Sequence, residues 1–269
     1  MEILQNIEQI QVLIAELRNL RKGYITNFYI DNFKHQIWIG NGDFKFEQIG
    51  ETLFLFRFSN NFCNLFYCTT TIEELEFAFI QLEKKYPELV KMVDIVGAEI
   101  QCMPIKKMLE KIGYYTYRQL VRMSKLTPSE NTEIINQNVY FATLKDSKII
   151  RQLLLQNFDA RCEQIPYQEE LDEYVKNKHI LVYKESGVIL GFVIFESNRT
   201  TNYLRYWFVH PNHRDKKIGS VLLNSFFYEG RQTRRQLFWV ITDNENAIKR
   251  YRHYGFIEEN LFDFVMSNK

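Results

Sequence analysis

Between Arg205 and Gln232 the chain passes from an aromatic strand pattern (RYWFV) through the basic segment His210–Ser220 (HPNHRDKKIGS) straight into a helical one (VLLNSFFYEGRQ). Such a junction sets the first turn of a helix against the end of a strand. The N–H groups of that turn have no intrahelical acceptor, and the helix dipole adds positive potential. Arg214, Lys216 and Lys217 add positive charge, and Gly219 removes a Cβ from the approach. A pyrophosphate is the natural occupant of such an anion site. On charge pattern alone, a basic loop opening an ordinary helix is an equal reading.

The elements around this junction follow from periodicity. NVYFATL reads as a strand, KDSKIIRQLLLQNFDA and YQEELDEYVKN as amphipathic helices, and HILVYKESGVILGFVIFES as two strands about a Glu-Ser-Gly turn. TTNYLRYWFV is a strand leading into the junction, QLFWVIT another, NENAIKRYRHYGF a helix and NLFDFVMSNK the last strand. The order is β-α-α-β-β-β-α-β-α-β. Within it, Asn244 sits at a strand-to-helix junction, where Asn is a good N-cap, and Gly255 fits a left-handed helix end.

Two segments carry a family resemblance. V-x-P-x-x-R-x-x-x-x-G-S resembles the acetyl-CoA motif of GNAT N-acetyltransferases, usually [RQ]-x-x-G-x-[GA]. Arg214 matches its first position and Gly219 its last, while Lys217 stands where the middle glycine would. At a helical φ/ψ, Lys217 still offers its N–H, and its amine can bond a phosphate. Asn244 to Phe256 is similar to the family's N-x-x-A-x-x-x-Y-x-x-x-G-F pattern, matched at Asn244, Ala247, Tyr251, Gly255 and Phe256. These matches in chain order make the second motif the more specific of the two.

The resemblance implies a GNAT fold, a mixed and mostly antiparallel sheet flanked by helices, with acetyl-CoA as co-substrate. The implied cofactor-binding residues are Trp207, Phe208 and Val209 at the strand end, then Arg214, Asp215, Lys216, Lys217, Ile218, Gly219 and Ser220. Asn244, Ala247 and Tyr251 complete the set. In the family the strand ending at Val209 splays from its neighbour, and its free backbone groups pair with the pantetheine and thioester carbonyl, which stabilises the oxyanion. Tyr251 is the implied catalytic acid, protonating or hydrogen-bonding the leaving thiolate; a packed tyrosine with a satisfied hydroxyl is the plainer alternative. Many relatives carry a carboxylate on the strand before Asn244, and Leu237–Ile241 has none. Glu196 is the positional candidate for a base, with Glu163 and His210 weaker, and an amine arriving neutral needs no base.

Residues 1–126 read as an α+β domain, with a boundary at Leu126–Thr132 and a linker over 127–137 before the GNAT domain at 138–269. Ile3, Ile7, Ile10, Leu13, Ile14, Leu17 and Leu20 form one helical stripe, better suited to packing on its own domain than to a homodimer seam. IWIGNGDFKF reads as a hairpin about Asn41-Gly42, followed by strands in ETLFLFRF and NLFYCTT. TIEELEFAFIQLEKKYPE is a helix capped by Thr71. LVKMVDIVG is a strand, PIKKMLEKIGY a helix with Pro104 in its first turn, and YYTYRQLVRMSKL a strand. This order, with EKIGYY echoing RHYGF, suggests a degenerate second GNAT-like copy. It has no R-x-x-G-x-G segment before TIEELEF and is not expected to bind CoA.

Bulk properties exclude several classes. The net charge of +1 gives no global field for nucleic acid or an anionic membrane. The four cysteines form no CxxC and no zinc-ligand spacing, so no metal is expected. The N-terminus has acidic residues and no continuous apolar run, which fits a cytoplasmic protein without a membrane span. The leading expectation is an acetyl-CoA-dependent N-acetyltransferase acting on a small-molecule or peptide amine. A non-catalytic CoA-binding scaffold and a tandem-GNAT aminoacyltransferase are the alternatives; the latter needs a basic groove that the near-neutral charge does not favour.

Overall fold

The computed structural model describes residues 1–127 and 136–269, so residues 128–135 of the expected linker lie outside the described residues. The chain divides into two compact units. The first holds Met1–Leu120, Arg161–Gln164 and Asn260–Lys269; the second holds Val121–Ala160 and Ile165–Glu259.

The first unit begins with β1 (Glu2–Ile3) and α1 (Ile7–Asn19). Asn6 caps α1 by accepting from Gln9 N at 2.8 Å, and Ile7, Ile10, Ile14 and Leu17 form its buried stripe. After β2 (Ile25–Thr26) comes α2 (Asn32–Gly40), where a hairpin strand is expected. Asp31 caps α2 by accepting from Lys34 N at 2.9 Å, and His35 and Trp38 are buried at i, i+3 spacing. Asn41-Gly42 therefore stops a helix, with Gly42 at φ +73, and does not turn a hairpin. The strands β3 (Phe44–Ile49), β4 (Thr52–Phe58) and β5 (Cys63–Thr69) follow, then α3 (Ile72–Lys85), whose cap Thr71 accepts from Glu74 N at 3.2 Å. β6 (Lys91–Gly97), α4 (Glu99–Lys111) and the first half of β7 (Tyr115–Leu126) complete this stretch. Because α4 starts at Glu99, Pro104 lies inside the helix and beyond its first turn.

The last strand departs most from expectation. β13 (Ile257–Ser267) pairs antiparallel with β6 from Phe262↔Gly97 to Ser267↔Met92. Residues Asn260–Lys269 thus belong to the first unit, and the second unit does not extend over the whole of 138–269. Phe264 and Met266 enter the core formed by Phe54, Phe79, Leu82, Val93 and Leu109.

One consequence is electrostatic. Val265 is opposite Asp94, and Asp263 is opposite Val96, so the two aspartates are diagonal neighbours on one face. Burial pushes the Asp94 carboxyl up to about 6, against the hydrogen bond from Gln164 and the charge of Lys34. Burial and the charge of Asp94 raise Asp263 well above the ordinary range, and its Oδ1 has no hydrogen-bond partner among the described residues. A raised carboxyl holds its proton in the folded state after the unfolded chain has lost it. For Asp94 that contribution to stability is therefore full below about pH 4 and lost as pH rises through about 6, and for Asp263 it is likewise present in acid and lost as pH rises. Asp263→Asn is expected to stabilise the first unit by about 1–3 kcal/mol near neutral pH and to add little near pH 4. Urea unfolding at the two pH values checks the difference.

The second unit takes β7 from Val121, then β8 (Val139–Phe141), α5 (Leu144–Asn157), α6 (Gln168–Lys176), β9 (Ile180–Glu185), β10 (Val188–Ser197) and β11 (Thr201–Val209). A 3-10 turn over Pro211–Lys216 leads into α7 (Ile218–Glu229), followed by β12 (Arg235–Ile241) and α8 (Glu245–His253). The strands run β12-β11-β10-β9-β8, all antiparallel except β11–β12. Ile150, Leu154 and Leu171 from α5 and α6 cover one face against Val182, Phe192, Ile194, Tyr206 and Phe208. Among the described residues no helix is long and apolar enough to cross a membrane.

Candidate functional site

The site is framed by how β11 and β12 part. Their parallel register runs only from Thr201↔Arg235 to Tyr203↔Leu237, although β11 continues to Val209 and β12 to Ile241. The closed end is pinned by two buried amides that face each other in register. Asn202 Nδ2 donates to Phe226 O at 3.0 Å and Gln236 Nε2 to Phe227 O at 3.1 Å, satisfying carbonyls in the last turn of α7. Gly230 is required beside them, since a Cβ there would lie 2.3 Å from Asn202 Nδ2.

A bulge turns β11 just beyond the pinned end. Ile194 pairs with Tyr206 and Phe195 with Leu204, leaving Arg205 as the extra residue. Before it, Asn202 faces α7; after it, Tyr206 and Phe208 face α5 and α6, while Trp207 and Val209 face α7. The Phe208 side chain therefore belongs to the core, its ring tilted against that of Phe192 at 5.2 Å, and only its backbone belongs to the strand end.

Trp207 is the hub of the opening. A Cβ at Gly219 would stand 2.9 Å from Trp207 Cζ2 and 3.4 Å from Val209 Cγ2, so this glycine makes room for the indole as well as for an anion. The Trp207 ring lies 5.8 Å from that of Tyr251, which packs on Phe238 at 4.2 Å. Trp207 Nε1 is buried without a hydrogen-bond partner among the described residues, a donor suited to an acceptor-rich ligand. Ser220 is tied in through Tyr254, whose hydroxyl is 3.1 Å from its Oγ.

The phosphate-type segment has a backbone the sequence did not reveal. Lys217 adopts φ +59, ψ +12, the left-handed conformation, where a helical one is expected. This is the physical reason a glycine suits the position: in the left-handed region a Cβ crowds the following carbonyl. Arg214, Asp215, Lys216 and Lys217 are exposed, and Lys216 makes a surface ion pair with Glu185 at 3.4 Å. α7 begins at Ile218 with no side-chain cap, so the N–H groups of Ile218, Gly219 and Ser220 point out of its first turn. Lys217→Gly is expected to raise stability by up to about 1 kcal/mol, read from thermal unfolding.

On α8, Asn244 caps the helix by accepting from Ala247 N at 3.2 Å, and Gly255 follows its end at φ +82. Ala247 and Tyr251 share a face at i, i+4. The Tyr251 hydroxyl has no hydrogen-bond partner among the described residues, and burial raises the phenol well above its ordinary range. It is therefore a protonated donor throughout the working pH range.

Glu196 lies elsewhere. It is opposite Tyr203, four residues and roughly 12 Å of strand from Trp207. Its carboxylate accepts from the Tyr174 hydroxyl at 2.6 Å and pairs with Arg205 Nε at 3.6 Å. His210 Nδ1 accepts from Asn212 N at 3.3 Å, and Glu163 falls in the segment counted with the first unit. Sequence reasoning missed Asn202, Gln236 and the Arg205 bulge; buried amides carry no periodic signal, and the burial alternation along β11 runs unbroken across the bulge. Among the described residues no group of three or more His, Cys, Asp or Glu side chains could hold a metal.

Residues 148–256 match the Acetyltransferase (GNAT) family. In fold the chain is similar to a GCN5-related N-acetyltransferase from Sphaerobacter thermophilus, at 13% identity over 81% of this chain and 76% of that one, with a TM-score of 0.58. It is similar to a GCN5-related N-acetyltransferase from Kribbella flavida, at 10% identity over 98% and 96% of the two chains, with a TM-score of 0.56. A tandem GNAT protein from the clavulanic acid biosynthesis pathway matches at 9% identity over 98% and 95%, with a TM-score of 0.58. At these identities the likeness is one of fold. No curated protein matches the chain significantly. The chain carries a domain of the GNAT acetyltransferase family at residues 148–256, which indicates an acyl-CoA-dependent N-acyltransferase, within a fold like that of tandem GNAT proteins.

Proposed function

We propose that the protein transfers an acetyl group from acetyl-CoA to a primary amine of a small molecule or peptide by direct attack. The observation that carries this reading is the meeting of Trp207, Gly219 and Tyr251 where β11 and β12 part. The first-turn N–H groups of Ile218, Gly219 and Ser220, with Arg214, Lys216 and Lys217, suit the pyrophosphate. The backbone of Trp207–Val209 suits the pantetheine and the thioester carbonyl, and Asn244 and Ala247 of α8 are assigned to the pantetheine arm as part of the same proposal.

In the transfer, the neutral amine nitrogen attacks the thioester carbonyl, the N–C bond forms and the C–S bond breaks; Tyr251 hydrogen-bonds the leaving thiolate, and the proton shed by the new amide nitrogen passes through water to the sulfur. Positioning of the amine supplies much of the rate. Glu196, held by Tyr174 and Arg205 away from Trp207, is a poor general base. An amine arriving neutral, or losing its proton through water, fits the site better. A screen of amine acceptors with acetyl-CoA, read by thiol release, tests the reading. Release that depends on an added amine is expected. Binding of acetyl-CoA without release for any amine would favour a non-catalytic CoA-binding protein.

A further inference from the structure

The first unit repeats the plan of the second. From α2 its order is helix, three strands, helix, strand, helix, as the second unit runs from α6. Its parallel pair also parts early: β5 and β6 are in register only at Cys63↔Lys91 and Asn64↔Met92.

There the likeness ends, because the chain itself enters the opening. β2 pairs antiparallel with β5, Ile25 opposite Thr69 and Thr26 opposite Cys68. Asn27 N donates to Tyr67 O at 3.3 Å, and Tyr67 N donates to Asn27 Oδ1 at 2.7 Å. Asn27 Nδ2 donates to Asp94 O of β6 at 2.9 Å and to Leu65 O of β5 at 3.4 Å. The Thr26 hydroxyl donates to Tyr67 O at 2.6 Å. One side-chain amide thus bridges both strands as a peptide group would, using backbone groups that a ligand in this opening would need.

The helix behind the opening is also set against an anion. Glu73 and Glu74 occupy the first turn of α3, and Thr71 already accepts from Glu74 N. The Thr70 hydroxyl donates to Glu51 Oε2 at 2.7 Å. Gly23, at φ +135, lets the incoming chain pass close, since a Cβ there would be 2.6 Å from Thr70 O. In the second unit the corresponding helix follows Arg214, Lys216 and Lys217. Carboxylates at this end repel phosphate where lysine and arginine attract it.

We propose that Ile25–Phe28 is a built-in occupant of the first unit's strand opening, with Asn27 as its clasp, so that each chain takes one acyl-CoA, in the second unit. The count rests on the proposed function; the occupancy does not. Hydrogen exchange on the full chain without any cofactor tests the occupancy. The Tyr67 amide is expected to be protected and to exchange at least about tenfold faster in Asn27→Ala, while β3 and β4 amides keep their protection. Retained protection of the β3 and β4 amides in Asn27→Ala separates loss of the clasp from loss of folding. A Tyr67 amide that exchanges freely in the parent chain, or equally in parent and Asn27→Ala, overturns the proposal. Equilibrium dialysis with acetyl-CoA is expected to give one molecule per chain. Two per chain overturns the proposal, whereas none removes the proposed function and leaves the exchange result to decide the occupancy.

Discussion

Replacing Tyr251 with Phe is expected to slow acyl transfer by about 10²-fold while leaving acetyl-CoA affinity within about twofold. The substitution keeps the ring, which packs on Phe238 at 4.2 Å and near Trp207, and removes only the hydroxyl. No described residue hydrogen-bonds that hydroxyl, so its loss leaves no buried partner unsatisfied, and stability is expected to hold within about 0.5 kcal/mol. Burial keeps the phenol protonated, so kcat in the parent is expected to show no fall near pH ~10, where an ordinary tyrosine ionises. Steady-state kinetics at saturating acetyl-CoA, with affinity measured separately, checks the split. An unchanged kcat removes Tyr251 from the mechanism.

Removing Asn260–Lys269 is expected to unfold the first unit although the deleted residues follow the second in sequence. β13 supplies six register pairs to β6 and buries Phe264, Val265 and Met266. Asn268 further accepts from Lys91 N at 2.8 Å and donates to Glu83 at 3.1 Å. At about 2–5 kcal/mol for each large buried apolar side chain, the loss is comparable with the whole stability of a typical domain. Peptide-level hydrogen exchange over β3, β4 and β5 reads the outcome. Native protection there in the truncated chain would show that β13 is dispensable.

Much of the second unit was legible because its signals are local. Asn244 and Gly255 mark the two ends of α8, and the basic run before α7 marks a helix N-terminus. α2 was not legible. It has nine residues, and the aromatic run ending in Asn41-Gly42 satisfies a hairpin pattern as well as a short helix; only the burial of His35 and Trp38 decides. The strand β13 could be read from its own residues but its partner could not, since pairing over about 170 residues of chain leaves no local trace. At Lys217 the charge was read and the backbone was not. The glycine usual at that motif position was the available clue, because a left-handed φ is what a glycine accommodates without strain. The clasp at Asn27 was hidden for a related reason: an asparagine in a loop gives no sign that it bridges two strands.

Calorimetric titration of the full chain with acetyl-CoA tests most directly whether the second unit's opening and the first turn of α7 form an acyl-CoA site. Saturable heat is expected, with a dissociation constant between about 1 μM and 1 mM, weakened by charge reversal in Arg214→Glu. No heat at millimolar acetyl-CoA, with the protein shown to be folded, would contradict it.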